Sequence, residues 1–165
     1  MLTGNLRKSD KIQFKFSLAF VLLLFFAQAS QGSVIGEIKP TSGATLDNTY
    51  TWDCREFKSK AGAKLINTWT FDGKELRRKS GATLKDTYVW NGKELKPKAG
   101  ATLNNSYVWD GKELKRKVGA TLRNTWLFNG REWKKKSGAT LRNTWIVTGD
   151  VPIPVAALAI LGIID

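Results

Sequence analysis

The chain has 165 residues, enough for one ordinary domain, with 27 Lys plus Arg against 14 Asp plus Glu and a formal net charge of +13. It has no histidine and one cysteine, which removes the commonest general base and metal ligand, any CxxC site and any internal disulfide. Seven tryptophans and 42% hydrophobic residues separate it from disordered basic chains, and the composition points to a folded, basic non-enzyme without cofactor or metal.

Residues 1–29 carry the pattern of an export signal. Arg7, Lys8, Lys11 and Lys15 precede an apolar stretch over 18–27, and Ala27-Gln28-Ala29 supplies a small-x-small cleavage site. A signal helix cleaved after Ala29 is expected, with an uncleaved membrane anchor as the alternative. The apolar stretch is about half of the ~20 residues that span a bilayer. Cleavage leaves 23 cations against 13 anions, a charge of +10, and places the protein in the periplasm, at the cell surface or outside the cell.

Residues 30–41 are a lead-in ending in a half unit, GEIKPT at 36–41, and residues 42–150 hold six copies of a nineteen-residue unit. SGATLKDTYVWNGKELKPK and AGATLNNSYVWDGKELKRK are adjacent examples. The period has no insertion or deletion, so each unit is expected to meet its neighbours in the same way. Within the unit, β-forming Tyr88-Val89-Trp90 and Glu94-Leu95-Lys96 flank Asn91-Gly92, a hairpin signal for a type I′ turn. Counting outward from a two-residue Asn91-Gly92 loop pairs Trp90 with Lys93 and Tyr88 with Leu95. That puts Tyr88, Trp90 and Leu95 on one face, and Val89, Glu94 and Lys96 on the other. Lys93, opposite Trp90, is then placed for a cation–π contact. Cys54 replaces the turn glycine in the first unit, predicting a looser or different turn there and an exposed thiol.

Gly-Ala opens every connecting stretch and permits a tight bend. Leu46, Leu65, Leu84, Leu103, Leu122 and Leu141 follow at one fixed place, as expected of one core plug per unit. Asn48, Asn67, Asp86, Asn105, Asn124 and Asn143 suit Asx turns leading into the next strand. Each unit also holds an aromatic pair in which tryptophan and its partner trade places at near-constant volume, a packing signature that predicts an aromatic core.

The fold class expected is all-β, with tandem hairpins forming an antiparallel repeat sheet and a parallel β-solenoid as the alternative. Antiparallel succession is favoured because a solenoid stacks Glu56, Glu75, Glu94, Glu113 and Glu132 as like charges one strand spacing apart. Residues 151–165, apolar and broken early by Pro152 and Pro154, are expected to cap the repeat, or to form a tail that enters a membrane or pairs with a second copy.

Each hairpin ends in cations: Lys58 and Lys60; Arg77, Arg78 and Lys79; Lys96 and Lys98; Lys115, Arg116 and Lys117; Lys134, Lys135 and Lys136. Repetition aligns them as a basic ridge, the candidate contact for an anionic envelope polymer (polysaccharide, lipopolysaccharide or DNA) or for a membrane surface. Self-association is the competing expectation. No nucleic-acid motif and no catalytic constellation accompanies the ridge.

Overall fold

The computed structural model describes residues 35–164; the export signal, residues 1–29, lies outside the described residues. Twelve strands are described, β1 (Gly36–Pro40), β2 (Tyr50–Trp52), β3 (Glu56–Ser59), β4 (Trp69–Phe71), β5 (Glu75–Arg78), β6 (Tyr88–Trp90), β7 (Glu94–Pro97), β8 (Tyr107–Trp109), β9 (Glu113–Arg116), β10 (Trp126–Phe128), β11 (Glu132–Lys135) and β12 (Trp145–Gly149), followed by helix α1 (Ile153–Ile160). Every strand pairs antiparallel with its chain neighbours, and β1 pairs with β12, closing the sheet into a barrel. The antiparallel expectation holds and the solenoid does not. Closure removes the open edges that an elongated sheet would have to protect.

The half unit supplies the closure. Glu37-Ile38-Lys39-Pro40 matches Glu94-Leu95-Lys96-Pro97 residue type for residue type or nearly so. The sixth unit diverges after β12 and has no second strand of its own, so β1 takes that place, with Ile38 opposite Val147 and Pro40 opposite Trp145. The seam is tight at the end where α1 departs. A Cβ on Gly149, whose φ is +70°, would lie 1.9 Å from the Ile35 carbonyl oxygen, and one on Gly36 would lie 2.7 Å from that of Asp150. Only glycine fits either position.

Five hairpin turns and the β12–β1 seam would suffice for a ring of hairpins, but here the register also climbs. Glu56 stands opposite Thr70 and Thr70 opposite Arg77, two residues beyond Glu75, the counterpart of Glu56. The same step recurs at the seam, where Glu132 faces Ile146 and Ile146 faces Lys39. This stagger tilts the strands, as closing a barrel requires. Eight strands leave an interior that side chains alone fill; twelve leave a wider one. It is filled from the wall by rings and along the middle by α1. Tyr50, Trp52, Trp69, Trp126 and Trp133 are buried, and Phe71, Tyr88, Trp90, Tyr107, Trp109, Phe128 and Trp145 pack against them. Trp133 occupies the place of Phe57, Leu76, Leu95 and Leu114 in other units, stacked 4.7 Å from Phe128.

The apolar C-terminal run is part of that core. Ile153-Pro154-Val155-Ala156-Ala157-Leu158-Ala159-Ile160 is apolar on all sides, the composition of a helix with no solvent face. Residues 154–160 are all buried, and Ala156, Ala157 and Ala159 let large rings approach the helix closely. Helix α1 therefore plugs the barrel from within instead of capping an exposed end. Residues 155–160 pack into the same core cluster as the wall residues, while Ile153, Leu161 and Ile163 remain partly exposed.

The hairpin loop differs from the expected one by one place. Asn91 N–H donates to the Glu94 carbonyl, so Gly92-Lys93 is the two-residue loop, with glycine at its first position and positive φ, as in a II′ turn. The Asn91 side-chain oxygen accepts from the Lys93 and Glu94 N–H groups, and this anchor selects the loop. Trp90 consequently faces Leu95, and Tyr88 faces Pro97. The shift is by two residues, so the predicted faces survive although the predicted pairs do not. Lys93 lies in the turn and makes no cation–π contact among the described residues.

Cys54 holds the same loop as its glycine counterparts instead of loosening it. Asp53 accepts from Arg55 and Glu56 N–H groups, and Cys54 adopts φ 72°. A side chain in left-handed backbone costs about 1–2 kcal/mol. Cys54→Gly is therefore expected to stabilise the barrel by about 1 kcal/mol, raising the thermal midpoint by roughly 3–5 °C. An unchanged or lower midpoint in a thermal melt would show that the loop bears no strain.

Candidate basic rim

All six connecting stretches lie at one end of the barrel, because β1–β2 and the five links between hairpins join strands at the end opposite the turns. They are built alike. In the fourth, the Asn105 side chain accepts from Thr102 N–H and donates to the Gly100 carbonyl, while Ser106 Oγ donates to the Thr102 carbonyl. Asn48, Asn67, Asn124 and Asn143 repeat the backward clamp. These side chains thus close the loop behind them, not the turn ahead that the sequence suggested. Neighbouring loops are joined too: Ala61 N–H donates to the Leu46 carbonyl, Ser80 to Leu65, Ala99 to Leu84 and Ser137 to Leu122. Across the seam, Ser42 donates to Leu141.

The leucines in these loops are not core plugs. Leu46, Leu65, Leu84, Leu103, Leu122 and Leu141 are 53–65% exposed. With α1 and the rings filling the interior, no space is left for them, and interior volume is something that sequence does not express. Beside four of them stand cations that the sequence reading passed over, Lys64, Lys85, Arg123 and Arg142. None of the four has an ion-pair partner among the described residues.

The thirteen predicted cations do not form one ridge. Successive strand residues point to opposite faces, so each cluster divides three ways. Lys58, Arg77, Lys96, Lys115 and Lys134 face outward, opposite Thr51, Thr70, Val89, Val108 and Leu127. Arg78, Arg116 and Lys135 share the inward face with Trp69, Tyr107 and Trp126, at the loop end. Arg78 lies 5.1 Å over the Trp69 ring and Lys135 Nζ 3.9 Å over that of Trp126. Burial, together with the nearby Arg116 charge, holds the Lys135 amine below its ordinary pKa.

The third group is committed to the barrel itself. Lys60, Lys79, Lys98, Lys117 and Lys136 each reach back one unit to a glutamate, Glu37, Glu56, Glu75, Glu94 and Glu113 in turn. The separation is 23 residues every time. Lys58, Lys96 and Lys115 add same-strand contacts to Glu56, Glu94 and Glu113. The ladder stops at the seam, where Thr41 stands in the place of the lysine and its hydroxyl is buried without a partner among the described residues.

These pairs set a pH dependence. The Lys39 and Lys60 ammonium groups hold the Glu37 carboxyl below its ordinary 4.5, and Lys79, followed by Lys58, does the same for Glu56. A carboxyl with a lowered folded-state pKa contributes stability above the unfolded value that is lost as pH falls through the folded one. Thermal stability is therefore expected to hold from neutrality down to about pH 5 and to fall below about 4.5. In Glu37→Gln/Glu56→Gln that decline should be shallower, at a cost near neutrality of about 1 kcal/mol in total, since half-exposed pairs contribute little. Parallel stability-against-pH curves for the two proteins would refute the assignment.

The described residues thus form a closed hairpin-repeat barrel in which most wall lysines are paired with glutamates and the loop end carries an excess of cations. Comparison with protein-family models, curated proteins and solved structures found no match for this chain. Among the described residues there is no cluster of metal-ligating side chains and no helix long and apolar enough to cross a membrane.

Proposed function

We propose that this is an exported, non-enzymatic protein that binds a polyanionic partner of the cell envelope or exterior through the loop end of its barrel. The observation that carries the reading is the segregation of charge. Glutamates hold Lys60, Lys79, Lys98, Lys117 and Lys136 and touch Lys58, Lys96 and Lys115. At the loop end Lys64, Lys85, Arg123, Arg142 and the inward Arg78, Arg116 and Lys135 have no carboxylate partner among the described residues and stand with only Asp47 and Asp86. At the turn end the equally unpaired Arg55, Lys74, Lys93, Lys112 and Arg131 are balanced by Asp53, Asp72, Asp110 and Asp150. The larger excess of cations over acids at the loop end concentrates a polyanion there and releases its counterions on contact. Export rests on the pattern of residues 7–29, and the absence of chemistry on a composition without histidine. Lys60, Lys79, Lys98, Lys117 and Lys136 of the predicted set tie units together, so the proposed contact moves from a ridge to a rim.

Retention on immobilised dextran sulfate tests this directly. Binding is expected to weaken steeply with salt, and Lys64→Gln/Lys85→Gln/Arg123→Gln/Arg142→Gln should reduce the slope of log K against log salt by about 3. Neutralising Lys58, Lys96 and Lys115 on the wall should reduce it much less. No retention at low salt, or equal losses from the two sets, would overturn the reading.

A further inference from the structure

We propose that the polyanionic partner is a lipid bilayer bearing anionic headgroups, on which the loop end sits flat with its six leucines in the interfacial layer. This rests on the reading of the loop end as the anion-binding end and identifies what it binds. Leu46, Leu65, Leu84, Leu103, Leu122 and Leu141 leave more than half of their surface in water, joined by Ile66 and Val118 at 58% and 46%. Soluble proteins seldom expose so much apolar surface in one place without a use for it.

Three observations select a bilayer over a soluble polymer or a second copy. The leucines are held, not loose: asparagine clamps and loop-to-loop hydrogen bonds fix their backbones around the rim. A closed circle of fixed tips meets a flat surface at every tip, whereas a single polymer strand would engage one arc. Charge stands directly beside the apolar residues, as Lys64-Leu65, Leu84-Lys85, Leu122-Arg123 and Leu141-Arg142. Apolar side chains flanked by Lys or Arg are the composition of surfaces that lie in an anionic interface. A second copy pressed rim to rim would instead oppose these cations to one another.

The test uses the full chain with vesicles of phosphatidylcholine alone or with 30% phosphatidylglycerol. Spin labels are placed at Leu84→Cys in a Cys54→Gly background or at native Cys54, which lies at the turn end. On anionic vesicles the label at 84 is expected to lose at least tenfold in collision rate with a water-borne relaxant, and the label at 54 to stay in water. Binding should be at least tenfold weaker to the neutral vesicles. Replacing the other five leucines by serine in the Leu84→Cys chain should keep the label at 84 in water, with the melting curve and dextran sulfate retention preserved. Because every variant carries residues 1–29, any binding by that segment is common to all of them. A label at 84 that stays in water on bound protein, or a leucine-dependent dimer without lipid, would overturn the bilayer assignment. Retention on dextran sulfate without vesicle binding would overturn it alone; loss of both would take the anion-binding reading with it.

Discussion

Leu158→Asp is expected to abolish the folded barrel at ambient temperature. Leu158 is fully buried in α1, within a cluster of rings and aliphatic side chains. A carboxylate there has no described cation to meet, since the basic residues of the wall point outward or lie at the loop end. Burying an unpaired charge in such a place belongs to the small class of substitutions costing more than about 4–5 kcal/mol, comparable to the whole stability of many domains. Leu158→Ala removes only volume and should cost about 2–5 kcal/mol, while Leu158→Met should cost under about 1.5. Denaturant unfolding followed by tryptophan fluorescence reads all three, because the indoles line the cavity that α1 fills. Near-wild-type stability of Leu158→Asp would mean that α1 is not the core of the barrel.

Removing Gly36–Pro40 is expected to make the barrel self-associate through its opened edges. Without β1, the facing edges of β2 and β12 lose their partners, and unpaired strand edges recruit strands from other molecules. The loss also takes Ile38, which is fully buried, and the Glu37 carboxylate that receives Lys39 and Lys60. Sizing at several protein concentrations should show oligomers that grow with concentration, and a peptide spanning residues 35–41 should suppress them. A deleted chain that stays monomeric and melts at the wild-type temperature would show that the seam contributes nothing.

Much of this architecture was legible because two periods are written into the residues. The nineteen-residue spacing announced identical units, and the alternation around Trp90 and Leu95 separated an apolar face from a charged one. That separation was robust to the wrong turn, since the true register differs by two places and alternation has a period of two. Like charges at Glu56, Glu75 and Glu94 argued correctly against a parallel stack. Closure was not legible, because it depends on stagger accumulated over six units and on twist, neither of which any single unit expresses. The plug was missed for a related reason: an apolar 151–164 reads as a cap unless the diameter of the ring is known. The match of Glu37-Ile38-Lys39-Pro40 to Glu94-Leu95-Lys96-Pro97 was the one available clue to the seam. At the rim, the sequence located cations but not their employment. Whether Lys79 is free or held by Glu56 turns on the strand tilt, which brings residues 23 apart into contact. The exposed leucines were misassigned because a hydrophobic residue in a repeat is a core residue in most folds, and only a filled interior excludes it.

The way the ring closes also bears on how the protein can change over generations. Tandem near-identical segments are readily duplicated or lost when genes are copied, and open arrays tolerate this because each added segment extends a surface already there. Here the number of units sets the circumference, and the circumference must match a single helix carried at the far end of the chain. Five units would crowd Val155, Ala156, Ala157 and Leu158 out of the interior, and seven would leave them loosely held. A change of copy number would therefore upset the fit of α1, whereas substitutions within units, such as Trp133 for leucine or Cys54 for glycine, keep the circumference.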